Sequence, residues 1–208
     1  MWRTTLWQRH YFMMRLLLRT LFLAGLILGG YALVGPYVKN MLYAMRLASM
    51  PALDMLPVPV RGVAPRALAD TWGGARGGGR RHEGIDIFAK RGTAVTSATE
   101  GIVMRIGSNR LGGQVVWVLG PGGQRHYYAH LDSYADIEAG QRVRPGTILG
   151  YVGTSGNAAG TPPHLHYGIY EAGGAINPYP LLRSTPLARA LNGAGAGTRS
   201  PPAPASAG

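Results

Sequence analysis

The sequence predicts an all-β domain, a compact barrel or sandwich, carried behind an N-terminal membrane-spanning helix. Three observations lead there. Nineteen consecutive residues, Thr20 to Val38, carry no charge. Between about residues 63 and 183, short apolar runs alternate with glycine-rich turns. Glycine makes up 32 of 208 residues without a Gly-X-Y period, which excludes collagen and favours tight turns between short strands.

Residues 1–19 form a basic flank containing Arg3, Arg9, Arg15 and Arg19. The run 20–38 shows no polar face and is long enough to span a bilayer. Only Lys39 and Arg46 follow it closely, and the first acidic residue is Asp54. The positive-inside rule therefore puts the N-terminus in the cytoplasm and the remainder outside. The run exceeds a usual signal-peptide core, and no convincing A-x-A cleavage site follows, so an uncleaved anchor is expected. Residues 39–62 read as an extracytoplasmic linker. NMLYAMRLASM suits a short helix near the membrane, and PALDMLPVPVRG, with three prolines, suits an extended chain. Residues 184–208, rich in Gly, Ala and Pro, read as a disordered tail.

Seven strands are expected within 63–183: Ile85–Phe88, Ala94–Ala98, Gly101–Gly107, Gln114–Gly120, Arg125–His130, Thr147–Gly153 and His164–Tyr170. β-Branched and aromatic residues dominate them. About 120 residues suffice for one core.

The formal charge is +12, but six of the basic residues precede residue 50, where no acid opposes them. Nucleic acid is a poor partner for a domain outside the membrane, whereas anionic envelope polymers fit. With no cysteine, disulfides, iron–sulfur clusters and cysteine-ligated zinc are excluded. Any metal must be held by His, Asp and Glu.

Five of the six histidines lie in the β region: His82, His126, His130, His164 and His166. HEGID (His82–Asp86) differs from the helical HExxH motif, because its fifth residue is Asp. A straight strand would hold His82 and Asp86 about 13 Å apart; Gly84 permits a bend that brings both to one ion. In HLH (His164–His166) the two histidines share a strand face about 7 Å apart. In HYYAHLDSY, alternation places Tyr128 and His130 on one face. His126 is expected to be structural or exposed, and Glu83 to point away from any metal. Asn157 is a weak candidate for shaping a substrate groove.

The order H-x-G-I-D, YAHL, H-L-H resembles the lysostaphin-type (LytM-type) zinc metallopeptidases, whose three motifs stand intact from Pro65 to Leu182. AGQRVRPGTILGYVGTSG further resembles the repeat of lipoyl-type folds, so the resemblance implies a barrel-sandwich hybrid with a duplicated, lipoyl-like β motif. It implies His82, Asp86 and His166 as ligands of one zinc ion, and His130 and His164 as catalytic residues whose separate roles stay open. Two histidines and one carboxylate leave a position for water, as a catalytic zinc needs. A lipoyl carrier is unsuited, since neither lysine, Lys39 or Lys90, sits at a plausible hairpin tip.

The implied function is a membrane-anchored zinc endopeptidase that hydrolyses peptide cross-links of peptidoglycan in wall remodelling or cell separation, with an envelope regulatory protein as a further candidate partner. The alternative is a non-catalytic wall-binding regulator that activates a separate amidase; such regulators typically lack a ligand, and none is missing here. The glycine- and arginine-rich approach, GGARGGGRR, is a departure. Arg76, Arg80 and Arg81 there are candidates for attracting substrate carboxylates.

Overall fold

The computed structural model describes the backbone of Arg3–Ser184 and side chains from Trp7 onward. The tail expected to be disordered lies, beyond Ser184, outside the described residues. The chain divides into a unit ending at Met45 and a second beginning at Arg46.

The first unit is helical. Helix α1 spans Arg3–Ser49 without interruption, through Pro36. It is long and apolar enough to cross a membrane, and none of its most apolar stretch is buried within the protein. At 1.5 Å per residue the charge-free run covers about 28 Å, close to the thickness of a bilayer's hydrocarbon core. NMLYAMRLASM continues this helix to Ser49 instead of forming a separate one.

The second unit is an antiparallel sheet. Its strands are β1 (Ile85–Phe88), β2 (Ala94–Thr96), β3 (Gly101–Asn109), β4 (Gly113–Leu119), β5 (Arg125–Tyr134), β6 (Arg142–Val143), β7 (Ile148–Val152), β8 (His164–Glu171) and β9 (Gly174–Ile176), followed by helix α2 (Tyr179–Arg183). The main path runs β1-β8-β5-β4-β3-β6; β7 joins β5 and β2, and β9 joins β8. The path does not close on itself. All seven expected segments contain strands, while β6 and β9 are too short to show any alternation.

Period-two burial orients the sheet. On β8, Leu165, Tyr167 and Ile169 are fully buried in the core, leaving His164, His166, Gly168 and Tyr170 for the opposite face. On β1, Ile85 and Ile87 point inward, leaving Asp86 and Phe88 outward. Each buried aliphatic side chain contributes about 1.5–3 kcal/mol. That fixes the register, because a slip of one residue would turn both histidines of β8 into the core.

The second half of the linker belongs to this core. Leu56 and Val60 are buried in it. Leu56 N–H donates to Leu181 O at 2.9 Å, Arg61 N–H donates to Ala94 O at 3.0 Å, and Val60 pairs with Val95. The prolines keep the segment extended, and its apolar residues then find the open side of the sheet.

His126 is structural. It is buried, with Nδ1 2.7 Å from the Tyr167 hydroxyl. Its Nε2 is the buried side-chain atom without a hydrogen-bond partner among the described residues. Burial pushes this imidazole down to about 4, so it stays neutral. Tyr128 accepts a hydrogen bond from Ala98 N–H at 3.0 Å inside the same core.

Candidate active site

The outward face of β1, β5 and β8 gathers the five side chains singled out from the sequence. His82 lies just before β1, where its backbone exchanges two 2.9 Å hydrogen bonds with Gly73 and Gly74. Its Nδ1 donates to Thr71 O at 2.7 Å, which leaves Nε2 with a lone pair facing the site. The Thr71 hydroxyl also accepts from Asp86 N–H at 3.0 Å, so one residue positions both. Gly84 makes the bend. A Cβ there would stand 2.6 Å from Tyr167 O and 2.7 Å from His166 Cε1, so only a bare backbone lets the His166 ring lie flat against the turn.

Three donor atoms converge. His82 Nε2 is 2.8 Å from His166 Nδ1 and 3.0 Å from Asp86 Oδ1, and His166 Nδ1 is 3.2 Å from the same oxygen. Burial by itself would raise the Asp86 carboxyl. Hydrogen bonding and charge from His166 and His82 outweigh it and hold the group well below the usual carboxylate range. Burial pushes the His166 imidazole down. Two imidazole nitrogens and a carboxylate oxygen therefore face one point, an arrangement that suits a cation. Bonds of about 2.0–2.1 Å to a tetrahedral zinc separate the ligand atoms by about 3.3 Å. The observed triangle needs to spread by only a few tenths of an ångström, so these residues fit the metal.

His130 and His164 flank this triangle. Their ring centroids are 5.0 Å apart, and that of His130 is 5.8 Å from that of His166. His164 Nδ1 donates to Pro162 O at 2.8 Å, and His130 Nδ1 donates to Ser155 O at 2.9 Å. Both rings are thereby held in the tautomer whose Nε2 carries the lone pair. His164 Nε2 lies 3.8 Å from Asp86 Oδ1. Burial pushes His130 down to about 4, so it is neutral and free to accept a proton.

The alternation that pairs Tyr128 with His130 fails here. Val116 pairs with Tyr128 but Gln114 pairs with Leu131, so β5 carries one extra residue. His130 has φ 63°, the one positive value on a non-glycine residue among those described. Tyr128 and Leu131 both enter the core, while the bulge turns His130 out to the site. The strain of a left-handed histidine is thus stored beside the donor triangle.

Of the arginines expected to form a carboxylate-binding rim, Arg76 turns inward and its Nη2 pairs with Asp86 Oδ2. Arg80 Nε and Arg81 Nη1 donate to Gly77 O and Gly73 O, both at 3.2 Å. Glu83 is exposed, and Asn157 is exposed on the preceding loop. Thr71, Arg76 as a partner of Asp86, and Ser155 are the residues that sequence reading missed. Their partners lie 10 to 25 residues away and follow no motif.

Three convergent donor atoms for a metal thus stand beside two oriented imidazoles. Residues 80–178 match the profile of peptidase family M23 and belong to that family. The chain is 44% identical over 140 residues to the L-Ala–D-Glu endopeptidase of Bacillus subtilis (strain 168), covering 62% of this chain and 42% of that protein. It is 35% identical over 107 residues to the DD-carboxypeptidase/endopeptidase Mpg of Neisseria meningitidis, covering 51% and 24% respectively. The chain thus spans less than half the length of these relatives. Its fold matches the catalytic domain of lysostaphin from Staphylococcus simulans with a TM-score of 0.52 at 28% identity, covering 58% of this chain and 96% of that one. Relatives in the family are peptidoglycan endopeptidases, and the antiparallel, unclosed sheet is theirs as well.

Proposed function

We propose that this chain is a membrane-anchored zinc endopeptidase that hydrolyses peptide bonds of peptidoglycan outside the cytoplasmic membrane, in wall remodelling or cell separation. The observation that carries this reading is the set of five: three convergent donors in His82, Asp86 and His166, with the Nε2 atoms of His130 and His164 beside them. A zinc ion held by the three would polarise the scissile carbonyl and lower the pKa of a bound water toward 7. The chain's own residues supply the rest. His130, neutral at pH 7, can take a proton at Nε2, and Ser155 O keeps its ring aimed. His164, fixed by Pro162 O, presents its Nε2 to the same space and, once that nitrogen has taken a proton, can donate to developing oxyanion charge. Arg76 holds the outer oxygen of Asp86 and leaves the inner one for the metal.

Anchoring rests on α1 and its basic flank, with the N-terminus in the cytoplasm, residues 63–183 as the peptidase domain, and the membrane, the wall peptide and an envelope regulator as partners. A duplicated, lipoyl-like reading of the fold is supported by the pairing of β2 with β7 and of β3 with β6. The full set of five disfavours a binding-only regulator. The relatives' names cover two kinds of bond, one within the stem peptide and one of DD type as in cross-links.

The test is to incubate the detergent-solubilised full chain with purified peptidoglycan, with and without a chelator, and to weigh the released fragments by mass spectrometry. Chelator-sensitive release is expected. Intact wall in the presence of zinc-loaded protein would overturn the reading.

A further inference from the structure

Resting on the peptidoglycan reading above, we propose that the aromatic floor beside His166 is a saccharide platform, which seats the sugar bearing the stem peptide so that the bond cut lies in the stem next to the glycan. The floor begins at paired strands. Trp117 on β4 stands opposite Tyr127 on β5, with ring centroids 4.3 Å apart. Tyr170 on β8 leans over both, at 5.4 Å from Trp117 and 6.3 Å from Tyr127. These rings, with Val115 and Ala129, form an apolar cluster separate from the main core. Trp117 and Tyr170 are half-buried on the outward face.

Gly168 shapes the platform. A Cβ there would lie 3.0 Å from Tyr170 Cε2 and 2.9 Å from Glu83 O. Its absence lets the Tyr170 ring lie back along the strand toward Trp117. The rim is charged: exposed Arg105 pairs with Trp117 from β3, exposed Arg125 pairs with Tyr170 from β5, and the Glu83 carboxylate sits beside Tyr170.

Such a surface suits a pyranose. One face of the sugar is apolar C–H and packs on flat rings, while its hydroxyl and acetamido groups reach a polar rim. An extended peptide would seek a free strand edge. The platform's own strands offer none, because β4, β5 and β8 are each paired on both sides; the free edge lies at β1, away from these rings.

Distance selects the bond. The Tyr127 ring meets the His166 ring edge-on at 5.9 Å and the Trp117 ring is 4.3 Å from that of Tyr127, so Trp117 stands at most about 10 Å from the His166 ring. One residue and a lactyl ether, the link between the first stem bond and the muramic sugar, span about 7–10 Å. A DD cross-link lies three residues further along the stem, about 10 Å more, and would leave the sugar beyond the rings.

The experiment compares kcat/KM of the zinc-loaded, solubilised full chain on GlcNAc-MurNAc-tripeptide and on the same free tripeptide. It adds binding of the GlcNAc-MurNAc disaccharide alone, followed by tryptophan fluorescence. The glycan-bearing substrate is expected to be favoured about 10-fold. Trp117→Ala should bring the two substrates within about twofold of each other while sparing the free peptide, and Trp117→Phe should fall between. Tyr170→Ser repeats the test should Trp117→Ala fail to fold. Equal rates on the two substrates in the wild type, or an equal loss on both in the variants, would overturn the platform. Disaccharide binding that Tyr170→Ser, which keeps the Trp117 fluorophore, abolishes, without cleavage of any substrate, would uphold the platform and sink the endopeptidase reading instead.

Discussion

Arg76 reaches back from the glycine-rich turn to place Nη2 on Asp86 Oδ2, while Asp86 Oδ1 faces His82 and His166. The carboxylate is thus divided, with one oxygen neutralised by a guanidinium and the other left to the donor triangle. Partners of this kind tune metal affinity by about 10- to 100-fold. Arg76→Met should weaken zinc binding by that factor, and Arg76→Lys by less. Competition with a chelating dye measures both without recourse to activity.

His130 and His164 should be separable from metal binding. His130→Asn tolerates a positive φ and retains a short polar side chain, yet offers no base. Its zinc content should equal that of the wild type while kcat falls about 10²- to 10⁴-fold. Parallel loss of zinc and activity would place His130 in the donor set.

Gly84→Ala tests the bend. The new methyl would have to displace Tyr167 O or the His166 ring. Overpacking of this sort costs about 1–3 kcal/mol. Both a lower melting temperature and lost zinc are expected. An unchanged melting temperature would mean that the turn relaxes freely.

Acid should destabilise the β unit through its buried histidines. Burial holds His126, and likewise His130, down to about 4 in the fold, against about 6.5 in an unfolded chain. Below about pH 6.5 the unfolded state binds more protons than the folded one, so stability is fully present above that pH and falls as pH drops toward 4. For His126 alone the loss approaches about 3 kcal/mol. Melting curves of chelated protein from pH 7.5 to 4.5 should show the decline. His126→Gln should make it shallower while leaving the His130 contribution.

Most strands were legible because burial on one face leaves a period of two, as in HLHYGIY and IDIF. The short β6 and β9 left no such trace, and their pairing comes from neighbours already in place. The burial of Leu56 and Val60 left no trace for a related reason: they lie between prolines, and local pattern carries no sign that the sheet has an open side for them to cover.

The sequence by itself determined the long apolar helix, the strand order's raw material and the five polar side chains, since each depends on composition or on spacing within a few residues. Only the tertiary structure decided how those five meet. The Gly84 turn closes His82 onto Asp86 because the His166 ring needs its space, the β5 bulge turns His130 out of the core, and Thr71, Arg76 and Ser155 fix tautomer and charge from distant loops. Hydrogen bonds and close contacts between remote segments leave no periodic mark along the chain, so they enter only when the sheet brings those segments together.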